Sequence, residues 1–177
     1  MEYDVIDEPY SFLELDDETR GYMLAELEQD IATHGHPYRG KGTLTERGLE
    51  DYAALLANAL SNGDETDLVT ALKEYGRLAS SAADAARKLG RTEFNRYYIR
   101  GVCRRAAAHG TNTVVVYRAH GSVVRRESSK ELEDNEQSAP RILANLRGNF
   151  LDPESGLGRV NSGLSVRCGC TSGEEQR

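Results

Sequence analysis

The chain has 177 residues, with 22 Lys and Arg against 29 Asp and Glu, 38% hydrophobic residues, no Trp and three cysteines. That length supports one domain with a real core and is short for two. The composition excludes a fibrous or wholly disordered chain, and three cysteines exclude a full disulfide framework.

The net charge of −7 conceals a bipolar distribution. Residues 1–86 carry 6 basic and 19 acidic side chains, residues 87–126 carry 10 and 1, and residues 127–177 carry 6 and 9. So basic a middle third calls either for a polyanionic partner or for an internal one, the acidic first half.

Met1-Glu2-Tyr3-Asp4 has neither the basic nor the apolar region of a secretory signal. The longest apolar run, near Ala53 to Ala59, is too short to span a bilayer. A cytoplasmic protein, or one made in the cell and assembled elsewhere, with no membrane contact, is the expectation. Residues 1–15 read as an arm that docks through Tyr3, Tyr10 and Phe12.

From Asp17 the period becomes helical, with Met23, Leu24, Leu27 and Ile31 on one side, Asp17 and Glu18 in the first turn, and Gly35 as the stop. His36 to Gly42 is a turn-rich connector. Thr45 caps a second helix, with Leu44 placed to staple onto Leu49. Its stripe is Leu49, Tyr52, Leu56 and Leu60, and Asn62-Gly63 ends it. Asp64, with Asp67 three residues on, opens a third helix whose inner face is Leu68, Leu72 and Tyr75. Ser81 opens a fourth that extends to Ala108, with a kink or break allowed at Gly90-Arg91, because glycine costs about 1 kcal/mol against alanine inside a helix.

After Gly110 the pattern changes. Thr113 to Ala119, with three successive valines, reads as a covered strand. His120-Gly121 turns it into a second strand at Ser122 to Arg125, and residues 127–138, with one apolar side chain, read as an exposed loop. Ser138 caps a short helix with Pro140 near its start and Ile142, Leu143 and Leu146 inward. Gly163 to Arg167 is a last strand. The organisation expected is an arm at 1–15, a helical region at 16–110, a small α+β region packed on it at 111–170, and a disordered tail at 171–177. The fold class is α+β: α-rich, with a helical N-terminal half and a small C-terminal β-sheet.

The stretch most loaded with chemistry is 91–110, RTEFNRYYIRGVCRRAAAHG, which holds five arginines and three aromatic rings. On a helical wheel Phe94, Tyr98, Gly101 and Val102 gather on one side, and Arg96, Arg100 and Arg104 follow at i, i+4, i+8 on the other. Gly101 within the apolar set implies close approach of a neighbouring element. Guanidiniums fork onto phosphate oxygens, so the row has the geometry to track a nucleic-acid backbone without reading bases. It equally has the geometry to pair with the acidic helices of residues 17–75. The candidate binding residues, for phosphate or for an acidic partner, are Arg91, Arg96, Tyr97, Arg100, Arg104 and Arg105.

An Arg91-Thr92-Glu93 helix start, the apolar strand Val114-Val115-Val116 and the segment Val166-Arg167-Cys168-Gly169-Cys170 together resemble the Mu-type minor head proteins of tailed bacteriophages. The resemblance runs from Arg91 to Cys170, and the chain departs from the family in having no His-Pro before its cysteines. It implies a non-enzymatic virion component that acts near the portal in head assembly or DNA packaging, with protein partners or self-assembly. The alternative is a nucleic-acid-binding accessory or regulatory protein that uses the arginine helix; a small hydrolase or nuclease stands third.

Catalytic and metal signatures are weak. Cys168-x-Cys170 lacks the spacing and the further ligands of a structural zinc site and reads as two free thiols. Cys103 reads as a buried small hydrophobe, His34-Gly35-His36 as a turn, and Asp152-Pro153-Glu154 as turn acids. There is no phosphate loop, nucleophile elbow or dinucleotide fingerprint. No catalytic residue, metal or cofactor is assigned from the sequence.

Overall fold

The computed structural model describes residues 8–80, 83–121, 127–148, 157 and 162–170. Along them run α1 (Asp17–His34), α2 (Glu46–Asn62), α3 (Glu65–Lys73), α4 (Ala83–Ala108), β1 (Thr113–Arg118), α5 (Glu127–Leu132), β2 (Glu136–Ser138), α6 (Ala139–Gly148) and β3 (Leu164–Arg167). The fold is α+β: helices fill the N-terminal half, and β1 lies between β2 and β3 in an antiparallel sheet of three strands. Ser81, the proposed strand at Ser122 to Arg125, Asp152-Pro153-Glu154 and the tail at 171–177 lie outside the described residues.

Local chemistry sets the helix ends. Asp16 caps α1 by accepting from the Thr19 N–H at 3.0 Å, and Gly35, at φ 82°, closes it by donating to the Ile31 carbonyl. Thr45 caps α2 through the Gly48 N–H at 3.1 Å. Asp64 and Asp67 form a reciprocal capping box on α3. Arg20 on α1 donates to the Ala59 and Leu60 carbonyls at 3.3 and 2.9 Å, satisfying the last turn of α2 from a neighbouring helix.

α4 is the axis of the molecule. It packs against α1, α3, α6 and the sheet, and every residue from Thr92 to Cys103 is buried. Two glycines make that possible. A Cβ on Gly101 would stand 2.7 Å from Met23 Cγ and 3.1 Å from the Thr19 carbonyl oxygen, and one on Gly90 would stand 2.8 Å from Val69 Cγ2. Gly101 lets α1 approach, as its place in the apolar set implies. Gly90 does the same for α3, so α4 runs unbroken through the point where a kink was allowed. Contact with α3 requires the missing side chain, and it offsets the poor helix propensity.

Other expectations are corrected. Leu49 is 39% exposed, and Leu44 instead enters an isolated β-bridge with Leu78, beside which the backbone of Arg77 packs on Gly48. Ile31 is 38% exposed, and Tyr75 is 67% exposed, beyond the end of α3 rather than on its inner face. Residues 127–138 are not a loop: they form α5 and β2, with Thr113, Val114 and Val115 opposite Ser138, Gln137 and Glu136. The low apolar content misleads because β2 is held by backbone pairing to β1 and contributes no buried hydrophobic side chain.

The described part of the arm does dock through its aromatics. Tyr10 stacks on His120, Phe12 packs on Phe94 and Tyr98, and the Tyr98 hydroxyl lies 3.0 Å from the Glu14 N–H, which donates to it.

Candidate functional site

The arginines of α4 face inward, onto α1. Glu26 and Asp30, one turn apart on α1, are 0% and 4% exposed. Arg100 donates from Nε to Glu26 Oε2 at 2.7 Å and with both terminal nitrogens to Asp30, at 2.6 and 2.9 Å. The Tyr97 hydroxyl donates to the same Asp30 at 2.7 Å. Glu26 also receives Arg147 of α6, through Nε at 3.0 Å and through Nη2, and Arg104 through a longer contact of 3.5 Å. Burial alone would raise the Glu26 carboxyl, but the hydrogen bonds and charges of Arg147 and Arg100 outweigh it and hold its pKa below the ordinary value. Stability from this group is therefore present above pH 4.5 and is lost as pH falls through its lowered folded value.

Arg100 and Tyr97 lie in the buried network with Glu26 and Asp30. Arg104 lies at its rim, with its side chain 34% exposed and its guanidinium 5.3 Å from the centre of the Tyr22 ring. Arg105 is separate: it is buried against the N-terminus of α1, where it meets Asp16 at 2.6 Å, Thr19 at 3.1 Å and Glu18 at 3.5 Å. Arg96 turns to Glu93 at 3.1 Å and to the Leu146 carbonyl at 3.1 Å. Arg91 is half-buried, and its charge acts on Tyr10 and Glu65 at the arm. The six residues thus belong to several environments and form no single surface.

Three further participants, Glu26, Asp30 and Arg147, were not singled out by sequence reasoning, and Glu93 was named there only as part of a helix start. The i, i+4 spacing of Glu26 and Asp30 matches the spacing of Arg96, Arg100 and Arg104, and that is the signal a sequence offers for facing helices. Arg147 has no comparable signal, because its place depends on how α6 folds back.

Glu93 is the opposite case to Glu26. Burial pushes its carboxyl up, and the neighbouring Arg96 only partly offsets this. It faces Tyr52 from α2, Asp30 from α1 and Arg100 from its own helix. The Tyr52 hydroxyl and Arg96 Nε, both buried, have no hydrogen-bond partner among the described residues. A raised folded pKa means that stability is fully present below the unfolded value and is lost as pH rises through the folded one. The stability difference between wild type and Glu93→Gln should therefore shift toward the glutamine variant as pH rises above 4.5, and then level off. Urea unfolding at a series of pH values checks it; a constant difference would mean that Glu93 stays ionised throughout.

The cysteines offer little to catalysis. Burial, with the charge of Glu26, pushes the Cys103 thiol up to about 12, so it stays protonated at neutral pH and is a poor nucleophile. Cys168 and Cys170 lie side by side, with Cα atoms 5.1 Å apart. Gly169 between them, at φ 69°, makes the turn that brings them together. Glu14 of the arm accepts from the Cys168 and Gly169 N–H groups at 2.6 and 3.1 Å.

Among the described residues no group of three or more His, Cys, Asp or Glu is arranged to hold a metal ion, and no helix is long and apolar enough to cross a membrane. Comparison with protein-family models, curated proteins and solved structures returned no match to this chain.

Proposed function

We propose that the chain is a non-enzymatic assembly or binding protein that works through protein contacts, as a phage minor head component acting near the portal would. The observation that carries this reading is the disposition of its arginines. Arg96, Arg100 and Arg105 are each 3% exposed and engaged by carboxylates of the same chain. A row of guanidiniums that follows a duplex must be solvated and open to successive phosphates, and here only Arg104 of the expected row of three is partly exposed. This weighs against the nucleic-acid reading.

What the surface presents instead is Tyr75. It is 67% exposed and holds a backbone φ of 56°, a conformation uncommon for a non-glycine residue. Arg77 and Arg47 place their guanidiniums 5.2 and 5.4 Å from its ring centre, and Asp51 holds Arg77 at 2.8 Å and lies 3.9 Å from Arg47. Tyrosine and arginine held together in this way match the composition of the residues that dominate protein interfaces, and strained backbone is concentrated at functional positions.

Light scattering over a dilution series tests the reading directly. A mass that rises with concentration is the expected result, with Tyr75→Ala weakening association by about tenfold, or ~1.4 kcal/mol. A strict monomer that binds duplex DNA with a steep salt dependence would replace this reading with the nucleic-acid one.

A further inference from the structure

We propose that Arg104 of α4 and Arg147 of α6 form a binding site for a phosphate group at the rim of the buried network. Three guanidiniums, those of Arg100, Arg104 and Arg147, converge on two carboxylates, Glu26 and Asp30. With all five ionised, one positive charge is left over. Its position follows from exposure: Arg100 is 3% exposed and is saturated by both acids, whereas the Arg104 and Arg147 side chains are each 34% exposed. The surplus therefore faces solvent, between two arginines that touch the same oxygen, Glu26 Oε1.

The donors point the same way. Each guanidinium carries five N–H groups. Among the described residues Arg104 uses Nη1 alone, at 3.5 Å, and Arg147 uses Nε and Nη2, leaving its Nη1 without a protein acceptor there. Glu26, at 0% exposure, lies behind the pair and holds the Arg147 head through two contacts, while Arg104 reaches it through one long contact and lies over the Tyr22 ring. The Arg147 fork, held beforehand, loses little freedom on binding. A phosphate, with four oxygens and up to two negative charges, can accept from both forks at once; a carboxylate has only two oxygens. Two guanidiniums can engage one such group and do not make the row of successive contacts that a polymer backbone calls for.

The test uses the full chain and inorganic phosphate, with chloride at matched ionic strength as the comparison, read by thermal midpoint and by phosphorus NMR line width. We expect a saturable rise in midpoint with phosphate and none with chloride. Arg104→Gln, whose contact to Glu26 is the long one, should fold and bind phosphate about tenfold more weakly or worse. Arg147→Lys keeps a charge for Glu26 but loses the fork, and should weaken binding without unfolding the chain. Arg141→Gln, which alters an exposed arginine of α6 outside the pair, should leave binding intact. A nucleoside monophosphate titrated in parallel separates the possible sources: equal affinity means that the phosphate alone is recognised, and tighter binding that it is taken as part of a larger molecule, with the site retained either way. A phosphate effect equal to that of chloride, or one undiminished in both Arg104→Gln and Arg147→Lys, would overturn the proposal.

Discussion

Arg100→Gln is expected to lower the stability of the chain by about 3–5 kcal/mol, the usual loss when one member of a buried, hydrogen-bonded ion pair is removed. The size follows from what is left behind. Asp30 keeps only the Tyr97 hydroxyl among its hydrogen bonds from Arg100 and Tyr97, and it stays buried. Glu26 keeps Arg147 and the long contact to Arg104. Two carboxylates then share less positive charge in a medium where leaving a charge uncompensated is costly. Since a domain is stable by only about 5–15 kcal/mol, a large part of the native margin disappears.

Arg104→Gln supplies the contrast. Its side chain is about one-third exposed and its contact with Glu26 is 3.5 Å, so solvent screens most of the interaction and the loss should stay below about 1 kcal/mol. Equilibrium unfolding in urea, with the two variants measured side by side, checks the gradient. Equal, small losses would mean that Arg100 is solvated and that the row of arginines is open to an outside anion. A loss confined to Arg100, with no binding of duplex DNA by the wild type, is the outcome that its pairing with Glu26 and Asp30 implies.

How far the molecule is legible in its sequence depends on the range of the interaction concerned. The caps Thr45, Asp64 and Ser138, and the stop at Gly35, act over three or four residues, so the starts of α2, α3 and α6 and the end of α1 follow from side-chain chemistry. The apolar side of α4 is equally legible, with Phe94, Tyr98 and Val102 all 0% exposed. The polar side is not: a wheel shows which residues share a face but not what covers it, and the second reading of the arginine row, against acids, needs α1 to be placed. β2 is illegible for the same reason, since its backbone pairing to β1 leaves no mark on its own residues. Tyr75 continues the period of α3 in the sequence, yet the helix ends at Lys73, and the positive φ of Tyr75 and Gly76 turns the ring outward.

Val102→Asp tests the other side of α4 and should be the most damaging single change in the helix, at roughly 4–5 kcal/mol or more. Valine and aspartate are close in volume, so no cavity arises; the loss is the transfer of an apolar side chain, about 1.5–3 kcal/mol, plus the burial of a carboxyl where valine was 0% exposed. Arg105, three residues on, is the arginine one turn away on the same helix, but Asp16 and Glu18 already hold its guanidinium. The new carboxyl should therefore take up a proton, and its folded pKa should rise above the ordinary value of about 3.9. A raised folded pKa fixes the sign: stability is retained below the unfolded value and is lost as pH rises through the folded one. The deficit of the variant relative to wild type should accordingly shrink on acidification toward that range, whereas Val102→Asn, polar but uncharged, should show a deficit nearly independent of pH. Thermal or urea unfolding at several pH values separates the two. A midpoint for Val102→Asp unchanged from wild type would mean that this face of α4 is solvated, and that the pairing of the opposite face with α1 would have to be redrawn as well.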